Sequence, residues 1–326
     1  MMEILSSAAL ATVQDAGRFG GLRYGVGTAG AMDQLALAVG NLLLGNPEGA
    51  AALEIPVYPF QVRFTEDCAF ALTGADGQAR LDQRAIAPWW VSQARKGQVL
   101  TIGLPLAGSG SRAYLALAGG IDVPEVLASR STQLRAAFGG FEGRAVQRGD
   151  VLRAATPGVQ VAVDFGVVSP LIGLPLSCDG LPAMRVLPAA EYLGFQQESR
   201  AAFWAGEWKI TAQSDRYGYR MQGTPLVPIA TMEIRSHGIV PGVIQVPSGG
   251  QPIVQMRDAQ PSGGYPKFGT VIEADLWRLG QAAIGSRVRF VETHYEDAVA
   301  ALDAVQAWLD EVCRLVDLQR WALQRT

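Results

Sequence analysis

Residues 236–275 read SHGIVPGVIQVPSGGQPIVQMRDAQPSGGYPKFGTVIEAD. Two β-branched runs, 243–246 and 253–256, flank Pro247-Ser248-Gly249-Gly250, a spacing that predicts two strands about a turn. Gln245 and Gln251 stand on either side of that turn. After Arg257 and Asp258, a loop of Pro261-Ser262-Gly263-Gly264-Tyr265-Pro266-Lys267 leads into a third apolar run. A Gly-Gly pair lets backbone approach a ligand, and Pro266 stiffens the residues after it. On composition alone such a loop is a solvated connection. The alternative reading, suggested by so many polar groups at one turn within so apolar a stretch, is a small-molecule pocket.

Working outward, the 326 residues have room for two domains. Hydrophobic residues make up 49% and charged residues 17%, with 38 glycines, which suits a packed, turn-rich β protein. A net charge of −3 gives no reason to expect nucleic acid or an anionic membrane as partner. Lysine occurs only at 96, 209 and 267, so Lys267 is one of three side-chain amines in the chain. Cys68, Cys178 and Cys313 form neither a C-x-x-C pair nor an even set, which fits a reducing, cytoplasmic setting. The first residues lack a basic start followed by an apolar core, and no run approaches the roughly 20 apolar residues needed to span a bilayer.

From the N-terminus, Gln14-Asp15-Ala16-Gly17-Arg18-Phe19-Gly20 opens a glycine-rich loop. A helix is predicted from Asp33, stopped by Gly45-Asn46-Pro47. Asp33 reads as an N-terminal stabiliser, or as a carboxylate at a loop mouth; chemistry alone favours the stabiliser. Strands are expected at 53–55, 61–64, 70–73, 89–92, 99–103 and 114–118, the spacing of a sandwich or barrel. Arg130, Ser131 and Thr132 either bind an anion or tie a loop to a rim. Residues 151–188 carry five prolines without strong periodicity, and a domain boundary is placed near 165–180. A short helix at 189–204 and strands at 208–211 and 287–291 follow, with a short helix at 274–281. A last helix is expected over 296–324. Its apolar stripe is Ala298, Leu302, Val305, Leu309, Val312 and Val316. Asp15-x-x-Arg18-Phe19-Gly20 and Asp215-Arg216-Tyr217-Gly218 hint weakly at two related halves.

Several chemistries are excluded. There is no G-x-x-x-x-G-K-[ST] phosphate loop and no G-x-S-x-G elbow. His237 and His294 lie in no ligand spacing, so no metal site is expected. The biotin carrier's Met-Lys signature and any ATP-grasp-sized domain are also missing. The remaining groups are Asp, Gln, Tyr, Lys, Arg and glycine amides. Carboxamides and amides pair with an amide or ureido group, Asp258 or Asp33 orients or takes a proton, and Lys267 or Arg216 neutralises a developing oxyanion.

The blocks TVQDAGRFG, GAMD, LLGNPEGAAALEI, SRAYLALAGGIDVPEVLASRST, GGFEGRAVQRGDVL, SDRYGYRM and IQVP…GQPI…D…GGYPK resemble the biotin-dependent carboxyltransferase family over residues 3 to 292. That family includes the C subunit of 5-oxoprolinase, KipA, and the second half of the urea carboxylase carboxyltransferase domain. The resemblance implies a mainly β chain of two cyclophilin-like β-barrel domains, 1–170 and 171–293. Residues 294–326 are then the C-terminal helix. The candidate catalytic residues are Asp258, Lys267 and Tyr265, and the candidate substrate-binding residues are Gln245, Gln251, Gly263, Gly264, Arg216, Tyr219 and Asp33. His237 departs from the resemblance, standing where many relatives carry an acidic residue.

Three functions follow from the resemblance. The first is the C subunit of an ATP-dependent 5-oxoprolinase, opening 5-oxo-L-proline to glutamate in a hetero-oligomer with a KipI-like B subunit and a LamB/YcsF-like A subunit. The second is a carboxyl-transfer component for urea or another amide, using biotin carried by another chain. The third is a KipA-like regulator that binds a KipI-like kinase inhibitor.

Overall fold

The computed structural model describes residues 1–6, 10–156 and 164–323. They divide into two compact units. The first comprises Met1–Phe19, Ala29–Gly173 and Ala307–Thr326, and the second Gly20–Thr28 and Leu174–Gln306. Part of the first glycine-rich loop thus belongs with the later half of the chain. Pro157 and Gln324 lie outside the described residues.

In the first unit two antiparallel sheets of six strands enclose a single core. Met2, Ile4, Phe60, Val62, Phe64, Leu100 and Ile102 come from one sheet, and Leu53, Ile55, Phe70, Leu72, Leu115 and Leu117 from the other. Cys68–Gly74 and Ala113–Leu117 are buried along nearly their whole length rather than at alternate residues. A strand reads so when both its faces are covered. Here the helix Gln34–Leu44 covers the second face, and the Thr73 hydroxyl donates to the Ala36 carbonyl at 2.6 Å. Asp33 caps this helix by accepting from the Ala36 N–H at 2.9 Å, and Gly45 closes it at φ 73°. Arg320, from the end of the chain, adds hydrogen bonds to the Leu42 and Leu43 carbonyls, the favoured place for a cation.

The second unit holds a closed barrel of seven strands. In order around the ring they are Leu181–Pro188, Lys267–Val271, Val243–Gln245, Ile253–Gln255, Gly218–Gln222, Trp208–Ile210 and Arg287–Glu292. Every pairing is antiparallel except the closing one, where Ala183–Val186 run parallel to Arg289–Glu292. Phe203, from the helix Gln197–Ala205, sits among Phe268, Phe290 and Trp208 at centroid distances of 4.3, 5.1 and 5.4 Å. Residues 189–204 are therefore not one helix: a short turn, Tyr192–Gly194, precedes the helix that begins at Gln197. The helix Glu273–Gln281 is pinned by Asp275, whose buried carboxylate accepts from the Arg185 N–H, Nε and terminal nitrogen at 2.8 to 2.9 Å.

The last helix, Tyr295–Leu323, buries Ala301, Leu309, Val312 and Val316. Leu302, expected on the stripe, is 48% exposed, and Ala301 takes its place beside Ile272 and Ala274. The buried face follows the 3.6-residue period of a straight helix on a globular surface, not the 3.5-residue seam of a coiled coil.

Candidate functional site

Strand alternation builds the site. Tyr219, Val254 and Ile244 lie opposite one another across three adjacent strands and are completely buried, so they face the barrel interior. Their neighbours point outward, as exposed Arg220 shows. Gln245 and Gln255 share that outer face, yet only 2% and 6% of their surface is exposed. The register slips between Ile244 and Gln245, so that Lys267 rather than Phe268 lies opposite Gln245. This bulge leaves Phe268 in the aromatic core and sets a lysine beside the two glutamines.

A small ribbon covers these outward groups: His237–Gly238 paired with Ser262–Gly263. A Cβ on Gly263 would overlap the Gln245 carboxamide nitrogen, so a side chain at 263 displaces Gln245. Lys267 Nζ donates to the Gly263 carbonyl at 3.0 Å and lies 3.3 Å from His237 Nδ1. Both strands of the ribbon are thus tied to one ammonium. Burial lowers the Lys267 pKa below the usual lysine value, against the opposing pull of the Glu191 carboxylate. Gln245 Oε1 accepts from Gln255 Nε2 at 3.0 Å, whereas buried Gln245 Nε2 has no hydrogen-bond partner among the described residues. An unsatisfied buried N–H costs roughly 1–3 kcal/mol, so this amide calls for an acceptor.

Asp258 and Arg216 form a second group at the end of two barrel strands. Arg216 Nε and its terminal nitrogen reach Asp258 Oδ2 and Oδ1 at 3.0 and 2.9 Å, and the Asp258 N–H donates to the Arg216 carbonyl. The Asp215 side chain turns the chain just before this pair by accepting from the Tyr217 and Gly218 N–H groups. Asp15 makes the same local turn with Gly17 in the first unit, so the shared corner of the two halves has a physical counterpart.

The other expected site residues are placed differently. Both ends of the Gln251 carboxamide bond the Gly223 backbone, at 3.0 and 3.1 Å, which ties two loops together. Tyr219 is a core residue of the barrel, and Tyr265 stands 52% exposed beyond the ribbon. A Cβ on Gly264 would meet the Ile234 carbonyl oxygen at 3.1 Å and the Ser236 hydroxyl at 3.2 Å. Asp33 lies in the first unit as a helix cap. Of the ten, the structure brings Gln245, Lys267 and Gly263 together and pairs Arg216 with Asp258. Sequence reading passed over Gln255 and Glu191. Two-residue alternation from Gln245 across the turn gives a signal for Gln255; Glu191 leaves none, since its approach depends on barrel closure.

Chemically, an ammonium and a free carboxamide N–H₂ on one buried wall make a receptor for a carbonyl or carboxylate oxygen. Among the described residues no group of three His, Cys, Asp or Glu side chains is placed to hold a metal ion, and no helix is long and apolar enough to cross a membrane.

Barrel and site together define a mainly β protein with a seven-stranded barrel and a buried lysine and carboxamide beneath a short ribbon. The chain belongs to the carboxyltransferase domain, subdomain A and B, family, whose model matches residues 24–292. It is 40% identical over 317 residues to the C subunit of 5-oxoprolinase from Haemophilus influenzae, covering 97% of this chain and 99% of that one. To the C subunit of 5-oxoprolinase from Escherichia coli it is 42% identical over 312 residues, with 96% and 97% covered. Among solved structures, the urea amidolyase of K. lactis superposes with a TM-score of 0.85 at 28% identity, over 95% of this chain. The chain spans only 20% of that enzyme's length.

Proposed function

We propose that this chain is the C subunit of an ATP-dependent 5-oxoprolinase, acting on the ring amide of 5-oxo-L-proline only when assembled with partner subunits. Two relatives bearing that name match it end to end at 40% and 42% identity. The observation that carries the proposal at the level of chemistry is the buried, unpartnered Gln245 Nε2 beside the Lys267 ammonium. Ring opening adds water across the C–N bond of a cyclic amide, and negative charge gathers on the carbonyl oxygen as the bond is attacked. Gln245 Nε2 and the remaining N–H of Lys267 are two donors for that oxygen, held in place before reaction and shielded from water. Gln255 orients the Gln245 amide by occupying its oxygen, and so directs the nitrogen outward. Arg216 and Asp258 neutralise each other and fix the adjoining strand ends.

Access requires the ribbon to lift, and it is a separate two-stranded sheet of only two residue pairs. ATP, bound in the assembled complex, supplies the driving force for cleavage; the partners are proposed to be KipI-like and LamB/YcsF-like subunits in the cytoplasm.

A second reading is favoured by the fold match to urea amidolyase: carboxyl transfer to urea or another amide. The same two donors fit the ureido oxygen of biotin or the oxygen of a transferred carboxyl group, with carboxybiotin supplying that group. The chain combined with its partner subunits distinguishes the two. Glutamate formed from 5-oxo-L-proline and ATP, with no carboxylation of urea from carboxybiotin, supports the first; the reverse pattern refutes it.

A further inference from the structure

We infer that His237 is a positioning residue whose neutral imidazole, through Nδ1, holds the Lys267 ammonium and the ribbon in place, and whose protonation releases both. The inference rests on the proposed role of Lys267 only where turnover is concerned.

Two neighbours compete for His237 Nδ1. It lies 3.2 Å from the Arg235 carbonyl oxygen and 3.3 Å from Lys267 Nζ. A carbonyl oxygen only accepts and an ammonium only donates, so the same nitrogen cannot serve both at once. With the imidazole neutral and its hydrogen on Nε2, Nδ1 accepts from Lys267. The ammonium then joins His237 on one ribbon strand to the Gly263 carbonyl on the other. With a proton on Nδ1 the ring turns donor toward Arg235 and loses Lys267. A protonated ring also places a second positive charge 3.3 Å from a buried one, which like charges resist.

Other charges around the pair do not cancel this effect. Glu191 is the carboxylate whose field favours the Lys267 ammonium, but no hydrogen bond joins the two among the described residues. Arg235 brings a further positive charge two residues before His237 on the same segment. Lys267 is buried while His237 is exposed. Histidine is the side chain suited to change charge near neutrality. The arrangement therefore converts acidification into loss of the lysine's partner and loosening of the cover over Gln245.

The test uses the full chain labelled with ¹³C at lysine Cε, which gives signals from three lysines, 96, 209 and 267, with Lys267 assigned by its loss in Lys267→Arg. The expected result is a Lys267 signal that moves in an acidic step as well as a basic one. His237→Asn, which keeps an acceptor near the Nδ1 position but does not titrate, loses the acidic step and keeps the basic midpoint. His237→Ala loses the step and lowers the basic midpoint. In the assembled complex, His237→Ala reduces turnover about tenfold at pH 8, the scale of one charge-assisted hydrogen bond. His237→Asn returns it to within about twofold and extends activity to lower pH. A Lys267 signal without an acidic step, or the same step in His237→Asn, overturns the inference. If the signals behave as expected while Lys267→Met leaves turnover intact, the coupling stands and the role proposed for Lys267 in the reaction fails.

Discussion

The carboxamide nitrogen of Gln245 occupies the space that a side chain on Gly263 would need. A barrel strand and the ribbon above it thus approach so closely that one atom group decides the fit. Because the colliding atoms are the far end of a side chain, Gly263→Ala is accommodated by rotating Gln245 away. The expected cost to stability is within about 1 kcal/mol, while turnover falls on the order of a hundredfold as one oxyanion donor is lost. Urea denaturation and steady-state rates on the same variant check both halves.

Asp258 and Arg216 form a bidentate pair with 3% and 11% of their side-chain surface exposed. Removing one partner leaves the other charged, buried and without its ion-pair partner. Asp258→Asn is expected to lower unfolding free energy by roughly 3 kcal/mol. Replacing both together, Asp258→Leu with Arg216→Met, recovers part of that loss. Equal losses in the single and double variants, read from urea midpoints, would contradict the assignment.

Burial lowers the Lys267 pKa, and the sign of the consequence is fixed. The folded state binds this proton more weakly than the unfolded chain does. Charged Lys267 therefore costs stability at neutral pH, and the cost fades as pH rises from the folded pKa to the usual lysine value. Lys267→Met should denature at the same or higher urea concentration than the wild type at pH 7, with the difference vanishing at the alkaline end. Activity that needs the ammonium should fall on the basic side below the usual lysine value. A denaturation midpoint well below wild type at pH 7 would mean that the lysine stabilises the fold.

The barrel's central strands were legible because β-branched runs, a Pro-Ser-Gly-Gly turn and Gln245 stand close together in sequence. Leu181–Pro188 was not, although it closes the ring. Pro182 and Pro188 argue against a strand locally, but they sit near its ends, where backbone donors are least needed. The site was half legible. Lys267 and Gly263 belong to one motif, and Gln245 joins them because a bulge, invisible in sequence, slips the register by one residue. His237 and Glu191 come from segments placed only by long-range closure. Leu302 shows the opposite limit: a heptad stripe chose it on hydrophobicity, and the straight helix turned Ala301 inward instead.

Gln245 and Lys267 are proposed to act together on one substrate oxygen, and each is needed for the other to be useful. The most direct test is ATP-dependent glutamate formation from 5-oxo-L-proline by the assembled complex, measured for Gln245→Ala and Lys267→Met beside the wild type. The predicted result is a loss of about a hundredfold or more in each variant, with partner subunits still bound. Turnover equal to wild type in both would contradict it.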